Sequence, residues 1–163
     1  MNPIRTVAPA DPIITLAVLK QHLRVDFDDD DEVIQIYLNA AMGWLDGYRG
    51  VLGRCIMPQT WQVAYDTPGT HRLPFPDVQT VTASVGTATL TADRCGSFVT
   101  LTDAATVTLT ARAPDDILPQ IKQIVLLIVA TWYEQRKSTG EANLAELPMT
   151  VAALLAPIRW VQA

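Results

Sequence analysis

The sequence predicts an α+β fold: a small bundle of about four helices, with a β-rich insertion between the second and third helices. Two observations predict it. Apolar residues recur at helical spacing toward both ends of the 163-residue chain, and they alternate with polar residues through its middle. At 49% apolar and 18% charged residues, the chain can bury one core of ordinary size. We therefore expect a single domain over residues 1–163.

The N-terminal third predicts an arm followed by two helices. Residues 1–13 carry three prolines and no periodicity, which is typical of an extended arm. A first helix is expected after Thr15, a good N-cap residue. A second, longer helix is expected from about Asp30 to Tyr48, because apolar residues recur every three or four positions and form one stripe. That stripe contains Ile34, Leu38, Ala41, Leu45 and Tyr48.

The middle of the chain predicts short strands. Gln59 to Asp66 alternates in polarity, and ten threonines lie among valines and leucines between Val78 and Arg112. Residues 106–110 alternate strictly, as in a strand with one face in water. Turns are expected at Gly86 and Gly96.

Helical periodicity returns after Pro114. A third helix, Ile121 to Lys137, is apolar nearly all round and is therefore expected to be the most buried element. Its predicted buried stripe is Ile121, Ile124, Leu127, Ile128 and Trp132, with Val125 and Val129 lying off it. A loop at 138–147 and a short helix at 150–156 follow. The expected divisions are a helical core at 14–50 and 115–157, a β insertion at 57–112 and a C-terminal tail at 158–163.

The C-terminal tail carries apolar residues that look exposed. Pro157 ends the last helix, and Ile158, Arg159, Trp160 and Val161 follow it. A tryptophan next to an arginine suits an anchor in an interface. It suits equally a satellite cluster on the domain itself, and the sequence leaves both interpretations open.

Charge and cysteine content limit the function classes. The net charge is −5, from 17 acidic and 12 basic residues, which argues against a protein that grips nucleic-acid phosphates. Cys55 and Cys95 lie far apart without a C-x-x-C motif, so we expect free thiols in a reducing compartment. The longest apolar stretch, Ile124 to Ala130, is too short for a membrane span.

Residues 26–32 hold five aspartates and one glutamate around Phe27. A calcium-binding loop is not predicted, because the required glycine and terminal glutamate are missing at the expected spacings. The favoured interpretation is a helix N-terminus, where negative charge is stabilised. A partner-facing patch and a metal site are the alternatives. His22 and His71 are isolated, and no serine or cysteine stands in a nucleophile motif. We therefore predict no enzyme, no metal and no cofactor.

Three stretches resemble one known family. The first runs from Thr15 through Leu-Ala-Val-Leu-Lys-Gln-His-Leu-Arg-Val-Asp and the acidic run to Tyr48. The second is Gln59-Thr60-Trp61, with Arg72-Leu-Pro and Val78-Gln-Thr-Val81 behind it. The third is Pro119 to Arg136, followed by Leu147-Pro148 and Leu154 to Pro157. In this order the stretches resemble the head–tail connector proteins (adaptors, or head-completion proteins) of long-tailed bacteriophages, a family with prophage and gene-transfer-agent members.

The resemblance implies a structural role. Such adaptors assemble as a homo-oligomeric ring, usually twelve-fold, between the portal protein and the stopper or tail proteins. DNA passes through the ring without specific binding. The chain is then expected in a virion or phage-like particle, at the head–tail neck, and in the bacterial cytoplasm before assembly. The family's C-terminal segment is expected to reach the portal, which implicates Ile158, Arg159, Trp160 and Val161.

One surface of the ring would face the DNA channel. The densest negative cluster is the candidate, although a solvated position on the outside fits as well. This cluster comprises Asp28, Asp29, Asp30, Asp31 and Glu32. The alternative function is a prophage-encoded regulatory or scaffold-binding module that uses the β insertion to bind a protein.

Overall fold

Helices and strands segregate along the chain in the computed structural model, which describes residues 2–135 and 149–161. The helices are α1 (Leu16–Leu23), α2 (Asp31–Leu45), α3 (Leu118–Glu134) and α4 (Met149–Leu155). The strands are β1 (Ile4–Val7), β2 (Gln59–Tyr65), β3 (Gly69–Arg72), β4 (Val78–Ala83), β5 (Ala88–Asp93), β6 (Gly96–Leu101) and β7 (Ala105–Ala111). Six strands thus lie between α2 and α3, and the predicted α+β class with its insertion is confirmed. The predicted loop at 138–147 lies outside the described residues.

The strands form two antiparallel sheets. One sheet has the order β1-β2-β7-β4 and the other the order β3-β6-β5. The predicted alternation of residues 106–110 is confirmed, because β7 buries every second residue from Ala105 to Ala111. The N-terminal arm contains a strand that the sequence analysis did not predict. Strand β1 pairs with β2, placing Arg5 opposite Trp61.

Two apolar clusters fill the molecule. The four helices enclose one around α3, and the sheets enclose the other around β2 and β7. Helix α3 is the most buried helix, but it is not the most buried element as predicted, because β2 and β7 each bury four of seven residues and α3 buries five of seventeen. Its central stripe also differs from the predicted one. Val125 and Val129 are fully buried, whereas Leu127 and Trp132 are only half-buried. The stripe is rotated because α2 and α4 both pack on α3, and that arrangement cannot be seen in one helix's periodicity.

Helix α2 ends three residues earlier than predicted. Asp46 has an extended backbone (φ −94°, ψ 146°) and Gly47 has a φ of +80°, a region that favours glycine. The chain then folds back along the helix end, where the N–H groups of Val51 and Leu52 donate to the carbonyls of Trp44 and Leu45. These bonds satisfy helix carbonyls that would otherwise lack partners.

Replacing a core isoleucine should destabilise the fold far more than replacing an exposed one. Ile124 in α3 is fully buried, and Ile36 in α2 is 57% exposed. We expect Ile124→Ala to lower the free energy of unfolding by about 2–5 kcal/mol, because a cavity remains. Ile36→Ala should change it by less than about 0.5 kcal/mol. Urea unfolding followed by circular dichroism measures both, and equal losses would contradict the assigned core.

The two thiols should differ in reactivity. Both cysteines are free, Cys55 buried and Cys95 exposed. Burial raises the pKa of the Cys55 thiol, and a thiol that stays protonated reacts slowly. We expect Cys95 alone to react with a chromogenic disulfide reagent in the native protein, and both cysteines to react in denaturant. Rapid modification of Cys55 in a native Cys95→Ser variant would show that the site opens readily.

Candidate functional site

The start of the β insertion is fixed by a carboxylate at the end of α2. One oxygen of Asp46 accepts a hydrogen bond from the backbone N–H of Ile56 at 2.7 Å, and the other accepts one from Gln59 Nε2 at 2.6 Å. Burial raises the pKa of Asp46, and these hydrogen bonds oppose that rise. Asp46 therefore ties the end of α2 to the first residue of β2.

Arg5 brings β1 to the same place. Its guanidinium lies 4.0 Å from the Asp46 carboxylate and 5.9 Å from the centre of the Trp61 ring. A groove of about 530 Å³ opens between β1 and the end of α2. We call it the N-terminal groove. Its lining includes Arg5, Met42, Asp46, Tyr48, Arg49 and Trp61. Such a mixture of arginine, methionine and aromatic residues is typical of protein-binding surfaces.

The C-terminal segment, residues 157–161, is bound to the chain between α2 and β2 rather than free. The N–H of Trp160 donates to the carbonyl of Leu52 at 2.8 Å, and Arg54 Nε donates to the carbonyl of Ile158 at 2.9 Å. Gly53 has a φ of +62°, and a Cβ there would lie 2.4 Å from the Trp160 carbonyl oxygen. A glycine is required at this contact for both reasons.

The expectation of an exposed apolar tail is therefore wrong for two of its residues. Ile158 is 4% exposed and belongs to the helical core. The half-buried Trp160 ring lies near the guanidinium groups of Arg54 and Arg72, 5.9 and 5.5 Å from its centre. Of the two interpretations of Trp160, the satellite cluster describes its contacts. Val161, at 65%, and Arg159 are exposed beside it.

The acidic run lies at the N-terminus of α2, as the favoured interpretation predicted. Asp30 is the N-cap residue, although its side chain makes no capping hydrogen bond; it accepts one from the Tyr133 hydroxyl at 2.6 Å instead. Lys20 lies 2.6 Å from Asp28 and 2.7 Å from Asp31. The hydrogen bond from Lys20 lowers the pKa of Asp28. The described part of the chain holds no group of three or more histidine, cysteine or acidic residues placed to bind a metal.

The structure thus distributes the candidate residues over two regions. The acidic run lies at one end of α2, and the C-terminal segment lies against the chain that follows the other end. Sequence reasoning missed three residues that attach neighbouring segments near the end of α2. Arg5 attaches β1, Asp46 attaches the start of β2, and Arg54 attaches the C-terminal segment. Arg54 also forms an ion pair with Asp77. None of the helices in residues 2–135 and 149–161 combines the length and apolarity needed to cross a membrane.

Known proteins resemble the chain in sequence and in fold. The family model described as "Phage gp6-like head-tail connector protein" matches residues 13–90. A chain of a solved structure described as "Virion of native gene transfer agent (GTA) particle" has a TM-score of 0.72 at 20% identity. A chain from "Neck of empty GTA particle computed with C6 symmetry" has a TM-score of 0.71, also at 20% identity. Each likeness covers 100% of this chain and 97% of the other, and at such identity it shows a shared fold.

No curated protein matches the sequence. The family match covers α1, α2 and the insertion as far as the third residue of β5, and the shared fold extends over the helices beyond it. The resemblance predicted from the sequence is confirmed: residues 13–90 match the family model of the phage gp6-like head–tail connector proteins.

Proposed function

We propose that the protein is a structural adaptor of a phage or phage-like particle. It forms a ring, twelve-fold by the family's usual pattern, between the portal and the stopper or tail proteins, and it extends the DNA channel. The observation that carries this proposal is the family match over residues 13–90. The shared fold with chains of gene-transfer-agent particles supports a position at the neck of such a particle. The role is mechanical, and no catalytic step is part of it.

The portal contact of this adaptor uses the exposed part of the C-terminal segment. Arg159 and Val161 present their side chains to solvent, whereas Ile158 and Trp160 hold the segment on the domain. Residues 158–161 therefore comprise two exposed residues that contact the portal and two residues that support them. The channel-facing position expected for Asp28 to Glu32 stays a prediction.

Mixing the protein with a portal tests the adaptor function. We expect a monomer or loose small oligomer in isolation, because the exposed surfaces are mixed rather than continuously apolar. On a portal we expect a closed ring, which native mass spectrometry and electron microscopy would count as twelve copies. A stable closed ring of the isolated protein at micromolar concentration would contradict templated assembly. Absence of any complex with the portals of related particles would contradict the adaptor function.

Removing the exposed side chains of the C-terminal segment should weaken portal binding without unfolding the protein. We expect the double variant Arg159→Ala, Val161→Ser to bind a portal at least about tenfold more weakly, as for loss of an interface hot spot. Surface plasmon resonance measures the affinity, and urea unfolding checks the stability. The matched control is Arg94→Ala, Val85→Ser, which changes an exposed arginine and an exposed valine in turns of the insertion.

One result would count against this contact. If the C-terminal variant binds the portal as tightly as the control, the portal contacts another surface. Ile158→Ala provides a further check. Loss of this buried side chain should lower the free energy of unfolding by about 2–5 kcal/mol, whichever surface contacts the portal.

The free protein should not bind duplex DNA at physiological salt. Its net charge of −5 opposes phosphate, and a twelve-fold ring would carry 12 × −5 = −60. Only charge within about 8 Å of the channel acts at this ionic strength. Fluorescence anisotropy with a labelled duplex should show no binding at micromolar protein. A salt-sensitive micromolar affinity would instead mean that the arginines brought together by the fold grip DNA.

A further inference from the structure

The N-terminal groove combines exposed charged side chains, which we call its rim, with more buried apolar side chains, which we call its floor. Met42 and Trp61 contribute apolar surface, and Arg5 and Arg49 contribute positive charge. Arg49 is exposed and forms no ion pair with the described residues. Asp46 also lines the groove, but its oxygens already accept hydrogen bonds from the insertion. The groove therefore suits a ligand that has an aromatic or apolar centre flanked by carboxylates.

A surface with this chemistry lies on the same molecule. We call residues 26–29 the acidic knob. Phe27 is 48% exposed, with Asp26 on one side and Asp28 and Asp29 on the other. Lys20 holds Asp28 and so fixes the knob against α1. Asp26 and Asp29 are exposed and pair with no cation in the described part of the chain.

We propose that the acidic knob of one subunit docks in the N-terminal groove of the next subunit of the ring. Phe27 fills the apolar floor formed by Met42 and Trp61. Asp26 and Asp29 meet Arg49 and Arg5 at the rim. The inference rests on the proposed adaptor function, since it names the subunit contact of that ring.

The positions of the two surfaces make the contact head-to-tail. The knob precedes the first residue of α2, and the groove lies at the last turn of the same helix. Fifteen helical residues separate the two by about 22 Å, so a subunit cannot fill its own groove. A contact between two different surfaces repeats from copy to copy and closes into a ring when the rotation between copies permits.

The contact is expected to be weak in isolation and sensitive to salt. Its charges are exposed in the free subunit, and ion pairs between exposed groups are individually weak. Salt screens them over about 8 Å at physiological ionic strength. This strength agrees with a subunit that forms rings only when a portal gathers several copies.

A charge-conserving substitution can detect the contact chemically. Arg49→Lys places an amine in the groove, and a water-soluble carbodiimide then joins it to a carboxylate in direct contact. We expect a crosslink from position 49 to Asp26 or Asp29, located by mass spectrometry of the digested protein. A mixture of isotope-labelled and unlabelled copies shows whether the crosslink joins two chains. The control is Arg94→Lys, which places an amine on an exposed turn of the insertion.

The expected crosslink yield is at least about tenfold above the control at low salt, and it should fall as salt is added. Asp26→Lys with Asp29→Lys should abolish the crosslink. A second measurement uses sedimentation velocity at high protein concentration. Arg49→Glu should weaken self-association, and combining it with Asp26→Lys and Asp29→Lys should restore it. Misfolding cannot explain such a rescue.

Different results separate this inference from the adaptor function. If rings form on a portal but position 49 never joins Asp26 or Asp29 between chains, the ring stands and this interface is wrong. If position 49 joins a portal peptide instead, the groove binds the portal and the inference is also wrong. If the crosslink forms but no portal binds, self-association stands and the adaptor function fails. A knob seated in a neighbour's groove cannot line the channel, so the crosslink also decides the location of Asp28 and Asp29.

Discussion

The buried carboxylate of Asp46 is the constraint on which the arrangement of helices and sheets depends. Negative charge is unfavourable at a helix C-terminus and unfavourable when buried. It is stabilised here because the Ile56 N–H and Gln59 Nε2 both donate to the carboxylate and the Arg5 guanidinium lies nearby. These bonds fix where β2 begins relative to α2. The chain leaving the insertion is held at the same point, since the N–H of Ala113 donates to the carbonyl of Cys55 at 2.6 Å.

Both chain ends are attached close to this junction by an arginine and a tryptophan. Arg5 lies over Trp61 and brings in the N-terminal strand, while Arg54 lies beside Trp160 and holds the C-terminal segment. Arginine suits both attachments because its planar cation can stack on an aromatic ring while its N–H groups donate hydrogen bonds to oxygen. The N-terminal strand and the C-terminal segment therefore help to shape the surface of the protein.

The sequence predicted features that depend on local pattern and missed those that depend on distant contacts. Strict alternation identified β7, and helical spacing identified α2 and α3. Periodicity could not show that Val125 and Val129 face the centre, because that depends on where α2 and α4 pack. It could not show that Ile158 is buried, because the residue that binds its carbonyl, Arg54, is 104 positions away. The number of arginines can likewise be read from the sequence, but the residues that they contact cannot.

If the subunits contact one another head-to-tail along α2, the number of copies in a ring follows from one angle. A twelve-fold ring needs a rotation of about 30° between neighbours. Lys20 fixes the knob and Asp46 fixes the groove, so α2 holds the two surfaces at a fixed distance and orientation. Weak, exposed charges at the rim still allow a few degrees of adjustment. A portal that binds every subunit can then impose its own symmetry, because many weak contacts made together on one template exceed the strength of each alone.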